Sequence, residues 1–335
     1  MRYLFALAIG LLPLAALAQE WEDRRIFNAA ATGAALRVIS STDTDLFAPF
    51  IENFVALNPS VSVEYLVTGT AMIDRRFRTD PGAFDIAISS AMDLQLKLAN
   101  DGFARPVRNL AHPPWAEWRQ SLFAFTSEPA TIVINRAAFA GQPIPKTRQD
   151  LIEILRARPD AFRGKIGTYD IRQSGLGYLF ATQDARASET FWRLMEVMGR
   201  LDLRLYCCSG DMIDDLIAGR IAVAYNVLGS YAAARIDSRE TLEIILPSDF
   251  PTTMMRTALV SAETDQAGAA ETFIRHLLAL QGGTDAGVLL LPPLGAQDFE
   301  IKRATITLEP ALMTFLDGLK RKKFLSEWED AVIQD

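Results

Sequence analysis

The sequence is poor in the residues that most often carry chemistry. Its 335 residues include only two cysteines and two histidines. That is too few for a zinc cluster made of protein ligands alone, and it leaves little from which to build a nucleophile with its base. No strained nucleophile elbow, metal motif or dinucleotide loop is found, so no catalytic residue, metal or cofactor is expected. Positive charge is in the minority: 34 Lys and Arg face 41 Asp and Glu, for a net charge of -7. A bulk nucleic-acid binder needs a basic face, and none is expected here. Beyond the first 18 residues no apolar run approaches the roughly 20 residues that span a bilayer.

What is present points to a globular chain. Half the residues are hydrophobic and 22% are charged, which excludes a disordered chain, a collagen-like fibre and a disulfide-dense mini-protein. The length suffices for two lobes, each with its own core. Residues 1–18, MRYLFALAIGLLPLAALA, read as a signal peptide: Arg2 is the positive start, Leu4 to Leu14 the apolar stretch, and Ala16-Leu17-Ala18 the small-x-small cleavage site. Pro13 breaks the run, and no cysteine stands at the cleavage site to carry a lipid. A soluble product in the bacterial periplasm is expected, and loss of Arg2 takes its charge from -7 to -8. In that oxidising compartment the adjacent Cys207 and Cys208 have two readings. They form a vicinal disulfide, or they stay reduced as small half-buried hydrophobes; the reduced reading is preferred.

Short apolar runs alternate with amphipathic stretches. Leu36 to Ile39 predicts a strand ending at Ser40-Ser41-Thr42, and Leu46, Phe50, Phe54 and Leu57 fall at helical spacing after it. Val61 to Val67 predicts a second strand, running into Thr68-Gly69-Thr70 and a helix over 71–78. Phe84 to Ile88 predicts a third, ending at Ser89-Ser90. Strand, small polar loop and helix in repetition are the pattern of a parallel α/β sheet. A second unit opens with Thr131 to Asn135. It continues through a helix over 150–157, the strand 165–169, and Ser174-Gly175-Leu176-Gly177 opening a helix. It closes with a helix over 209–218 and the strand 221–225. The segments 242–246 and 257–260 follow as strands, with helix around 269–280 and 310–316.

Several of these pieces together resemble the periplasmic solute-binding proteins of ABC transporters, in the branch that holds ferric-ion, hexose-phosphate and phosphoglycerate binding proteins. The resemblance rests on the first strand with its Ser40-Ser41-Thr42 end, the strand Phe84 to Ser89, and Ser174-Gly175-Leu176-Gly177. It continues in the glycine-turn-strand Leu216 to Asn226 with Ser230-Tyr231 after it, in Ala270 to Arg275, and in Gly282-Gly283. It implies an α/β chain of the two-lobed type II periplasmic binding fold, with a double-crossover hinge and a ligand cleft between the lobes. Lobe 1 is expected over 30–127 plus 245–300, lobe 2 over 128–244, and a C-terminal helical segment over 301–335. The resemblance also implies a monomer that closes over a solute and docks on an ABC transporter permease. The same fold can instead present its closed form to a membrane histidine kinase.

Ligands in open α/β sheets sit beyond the carboxyl ends of strands. The residues gathered there are Ser41, Thr42, Gly69, Thr70, Ser89, Ser90, Ser174, Gly175, Asn226, Ser230 and Tyr231. Hydroxyls and N–H groups at helix N-termini suit an anion, although such residues also cap helices with no ligand present. Arg172 and Arg256 are the candidate counter-charges, because a guanidinium grips phosphate or carboxylate with two parallel bonds. Arg75 and Arg76, later in their helix, read as solvated. The family's ferric-ion binders use neighbouring tyrosines; here Tyr225 and Tyr231 are apart and no Tyr-Tyr pair occurs. His112 and His276 read as packing or surface residues. The expected ligand is therefore a small organic anion, phosphorylated or carboxylated, rather than ferric ion.

Overall fold

The computed structural model describes residues 21–28, 30, 33–235, 238–282, 288, 290–294 and 305–334. The expected signal peptide lies outside these residues. In chain order the first lobe is built from β1 (Asp23–Phe27), β2 (Ala35–Ser40), α1 (Thr44–Leu57), β3 (Ser62–Val67), α2 (Thr70–Thr79), β4 (Ile86–Ser89), α3 (Met92–Asn100), β5 (Glu117–Trp118) and β6 (Leu122–Ala124). The second lobe continues with β7 (Glu128–Asn135), α4 (Arg148–Ala157), α5 (Pro159–Phe162), β8 (Ile166–Tyr169), α6 (Gly175–Ala187), α7 (Thr190–Gly199) and β9 (Arg204–Tyr206). It is completed by α8 (Ser209–Ile217), β10 (Val223–Leu228), α9 (Gly229–Ala234), α10 (Ser238–Thr241), β11 (Leu242–Ile245) and β12 (Thr253–Met254). The chain then returns as β13 (Thr257–Val260) and α11 (Ala267–Gly282), and ends in α12 (Gly318–Val332).

The first sheet has the order β1-β3-β2-β4-β13-β6-β5 and the second β11-β7-β10-β8-β9. β2 pairs in parallel with both β3 and β4. Their side chains Val38, Ile39, Leu66, Ile86 and Ile88 are fully buried, as expected of strands covered by helices on both faces. β1 is the antiparallel edge strand, and four of its five residues are exposed. Its charged sequence, Asp23-Arg24-Arg25, guards that edge against pairing with another chain.

Two short segments carry the chain between the lobes. Phe125–Ser127 leads out of β6 into β7, and Met255–Arg256 leads back from β12 into β13. They run side by side: the Phe125 N–H donates to the Arg256 carbonyl at 2.9 Å, and the Arg256 N–H to Thr126 Oγ1 at 3.0 Å. This is the double crossover that the fold class requires. The C-terminal segment ties back to both lobes. The 3-10 turn Pro310–Leu316 accepts the Tyr178 hydroxyl at the Phe315 carbonyl, 2.6 Å away. α12 lies against α7 so closely that a Cβ on Gly199 would come within 2.6 Å of the Ala331 carbonyl.

Candidate functional site

The carboxyl ends of β2, β3 and β4 face those of β8 and β10 across the gap between lobes. There the chain leaves a small, partly open cavity of about 40 Å3. Lobe 1 lines it with Ser41, Asp43, Thr68, Gly69, Thr70 and Ser90, and lobe 2 with Tyr169, Ser174, Leu176, Ser209, Leu228 and Tyr231. Glu22, just ahead of β1, and the Cys207–Cys208 pair complete it. A wider cavity of about 390 Å3 shares Glu22, Asp43, Cys207 and Cys208 and adds Asp23, Asp45 and Asp211.

The lobes touch through hydrogen bonds at this cavity. Thr70 Oγ1, at the start of α2, accepts the Gly175 N–H at 2.8 Å and the Leu176 N–H at 3.2 Å. A lobe 1 hydroxyl thus answers two of the free N–H groups at the start of α6. On the far wall Tyr231 donates to Asp43 Oδ1 at 3.3 Å. Ser41 and Ser90 stand with hydroxyl oxygens 3.4 Å apart. The Ser-Gly-Leu-Gly sequence has a packing cause here. A Cβ on Gly175 would meet Leu94 at 2.8 Å and Thr70 Oγ1 at 3.1 Å across the gap, and one on Gly177 would strike Tyr169 Cβ at 2.3 Å. Ser174 caps α6 through the Gly177 N–H at 3.1 Å.

The electrostatics are set by carboxylates. Burial raises the pKa of Glu22, with Asp43 and Asp211 adding repulsion and the Gly69 N–H opposing. Burial likewise raises Asp43, against the pull of Arg256 and the Tyr231 hydroxyl. Asp211 is raised by burial and by its neighbours Asp214 and Asp215. Burial also pushes the phenols of Tyr169 and Tyr231 far above their ordinary value. Glu22 faces the N–H of Gly69, the N-cap residue of α2, Asp43 is the N-cap residue of α1, and Asp211 lies in the first turn of α8. Each occupies a position favourable to negative charge.

Of the residues expected from sequence, Ser41, Gly69, Thr70, Ser90, Ser174 and Tyr231 line the cavity, and Gly175 meets Thr70 at its edge. The others are employed elsewhere. Arg256 is fully buried in the hinge, where Nε and Nη2 grip both oxygens of Glu128 at 3.0 and 3.1 Å and Nη1 donates to Thr42 at 2.7 Å. Ser230 donates to that same Glu128 at 2.6 Å. The guanidinium, Thr42 and Ser230 therefore serve the crossover rather than offering free donors to the cleft. Arg172 lies outside the cleft and holds Asp170 with two bonds of 2.7 Å. Ser89 Oγ accepts the Ala91 N–H at 3.1 Å. Asn226, with its backbone in the left-handed region, donates to Asp184 at 2.7 Å inside lobe 2.

Cys207 and Cys208 are joined as a vicinal disulfide, which corrects the preference for free thiols. Cys207 is exposed at the turn into α8, so a reduced side chain there would gain little from burial. One ligand atom from each cysteine and from Asp211 lie within 4.8 Å of one another, but sulfurs bonded to each other present no thiolate to a metal. His112 donates from Nε2 to the Ala116 carbonyl, and His276 from Nε2 to Asn53 Oδ1; both are packed against phenylalanines away from the cleft. Sequence reasoning missed Glu22, Asp43, Thr68, Tyr169 and Ser209. Asp43 directly follows the Ser40-Ser41-Thr42 strand end, and Tyr169 and Ser209 close a strand and open a helix, so position alone signalled them. Glu22 stands just ahead of an edge strand whose charged sequence carries no apolar pattern.

No family profile and no curated relative matches the chain. Among solved structures it is similar to the substrate-binding protein of an ABC transporter from Agrobacterium tumefaciens, at 31% identity and a TM-score of 0.86, over 92% of this chain and 98% of that one. It is also similar to the periplasmic binding protein AfuA from Actinobacillus pleuropneumoniae, solved with fructose-6-phosphate, at 12% identity and a TM-score of 0.70, over 90% of this chain and 100% of that one. Iron-bound HitA from Pseudomonas aeruginosa matches at 12% identity and a TM-score of 0.67, over 89% of this chain and 99% of that one. The latter two, so distant in sequence, speak for the two-lobed fold alone.

Proposed function

The chain belongs to the substrate-binding proteins of ABC transporters, and from that premise we propose that it captures a small organic anion in the periplasm and delivers it to a membrane permease. The observation that supports the anion is the meeting of Thr70 with the start of α6. Two N–H groups at a helix N-terminus point at one oxygen supplied by the opposite lobe. A phosphoryl or carboxylate oxygen in that place makes the same bonds with a full negative charge, which shortens and strengthens them. Ser41 and Ser90 supply further hydroxyl donors beside it. Glu22 and Asp43, at the starts of α2 and α1, already act as the protein's own anions at neighbouring helix ends.

The mechanism is closure on differential affinity. A solute that bonds both lobes at once favours the closed arrangement by what it gains there and nowhere else. The two crossover segments bend, the cleft closes, and the closed face presents itself to the permease. The space left between the lobes at this point is too small for such a solute, and a parting of the lobes would enlarge it.

A second reading, a cation held by oxygen donors, is favoured by one observation. Glu22, Asp43, Tyr169 and Tyr231 line the same cavity, and hard cations prefer such a donor set. Thermal unfolding of the mature protein against fructose-6-phosphate, phosphoglycerates, di- and tricarboxylates, ferric citrate and putrescine separates the two. The anion reading expects an upward shift with an organic anion, lost in a Ser41→Ala/Ser90→Ala variant. Shifts confined to ferric citrate or putrescine, and lost in Asp43→Asn, favour the cation instead.

A further inference from the structure

A second cavity, of about 320 Å3, lies between the lobes and shares no lining residue with the inner one. Its character is opposite. Arg75 and Arg78 of α2 and Lys97 of α3 reach it from lobe 1, Arg172 from lobe 2, and Arg321 of α12 from the C-terminal segment. Asp74 is its one acidic lining residue.

Most of these cations are partly satisfied. Arg78 pairs with Asp74 at 3.0 Å and Asp101 at 2.8 Å, Lys97 with Asp101 at 2.8 Å, and Arg172 with Asp170 at 2.7 Å and Glu329 at 3.5 Å. Arg75 and Arg321 differ. Among the described residues neither has a carboxylate within ion-pair distance, and Arg321 instead lies 4.4 Å over the Tyr178 ring. Two guanidiniums outside any ion pair among the described residues, one on lobe 1 and one on the C-terminal helix, therefore share one concave space with three further cations. Its size is that of a small-molecule pocket rather than a flat protein face. Tyr178, Leu94 and Leu316 give part of its lining an apolar character, and charge pairing beside apolar surface is stronger than in open water.

We propose that this cavity is a second anion site, outside the solute cleft, for a small multiply charged anion such as a phosphate ester or polycarboxylate. An anion there bridges Arg75 and Arg321 with bidentate bonds. Because its walls come from both lobes and from the C-terminal segment, occupancy favours the closed arrangement from outside the solute cleft. By linkage it raises solute affinity by the same factor that the solute raises its own.

Inorganic pyrophosphate is a suitable probe, because it carries the charge without an organic frame for the inner cleft. Titration calorimetry of the mature protein in about 0.15 M salt, where diffuse surface attraction is screened, is expected to give saturable binding with one anion per chain. An Arg75→Ala/Arg321→Ala variant should bind at least about tenfold more weakly, since two charge-assisted contacts are lost. Arg75→Lys/Arg321→Lys should recover part of the affinity, and Ser41→Ala/Ser90→Ala should leave it unchanged. The proposal is overturned if the wild type shows no saturable binding at that salt. It is equally overturned if the Arg75→Ala/Arg321→Ala variant, folded by circular dichroism, binds as tightly as wild type, or if the serine variant is the one that loses pyrophosphate. This inference rests on the cleft reading only for its linkage, and failure of the cleft reading leaves a separate trace: no organic solute gives an unfolding shift that Ser41→Ala/Ser90→Ala loses, whatever pyrophosphate does.

Discussion

At the residue scale, two sets of buried charge lead to tests: the pair that holds the hinge, and a carboxyl whose titration is displaced. Arg256 and Glu128 are both fully buried and bonded with two contacts, with Thr42, Thr126 and Ser230 filling the remaining valences. Removing one partner of such a pair strands the other charge in the hinge. Arg256→Met should therefore cost about 3–5 kcal/mol in urea unfolding, and Arg256→Met/Glu128→Leu should recover part of that loss. A cost below about 1 kcal/mol, the value of an exposed pair, would show that the hinge does not depend on it. Asp93 behaves differently. It is 2% exposed, and one carboxylate oxygen has no partner. Burial raises its pKa to about 7 from 3.8, Asp74 adds repulsion, and backbone N–H groups and Arg321 oppose. A carboxyl whose folded pKa lies above its unfolded one stabilises most at low pH, and that contribution is lost as pH rises through about 7. Asp93→Asn should melt higher than wild type near pH 8, by an amount of order 1 kcal/mol or more, and lose that advantage near pH 4.

At the element scale, the strand-loop-helix units were readable because their strands are buried on both faces and end in small polar residues. The segments 36–39, 61–67 and 84–88 fall on β2, β3 and β4, each within two residues at either end. β1 was not readable, since an exposed edge strand of Asp23-Arg24-Arg25-Ile26-Phe27 alternates nothing. α3 and α7 were missed between stronger signals. Within the site, the hydroxyl and glycine residues at strand ends were legible from position. The arginine partners were not: Glu128 lies far from Arg256 in sequence, and no local pattern announces a pair that forms only when two crossovers meet. The glycines of α6 give a test at this scale. Gly177→Ala pushes α6 off β8, a cost of about 1–3 kcal/mol for overpacking. Gly175→Ala meets Leu94 and Thr70 only when the lobes are together. Urea unfolding should show loss of stability in the first variant, and calorimetry should show weakened solute binding with little loss of stability in the second.

At the scale of the whole molecule, each lobe has an apolar core of its own and a further buried apolar cluster runs from one into the other; two crossover segments join the lobes and a C-terminal helix straps them. Among the described residues the hydrogen bonds between the lobes at the cleft are one threonine hydroxyl on two N–H groups and one tyrosine on an aspartate, beside apolar packing of α3 against α6. Contacts of that kind can be exchanged for contacts to a solute, which is what a receptor that opens and closes requires. Amide hydrogen exchange tests this most directly, with the solute that raises the unfolding temperature most. The account predicts slower exchange in its presence at residues 68–72 of lobe 1 and 174–178 of lobe 2 together, because one ligand closes both helix N-termini from water. Protection confined to one lobe, or absent from both segments while the solute is bound, would contradict capture between the lobes.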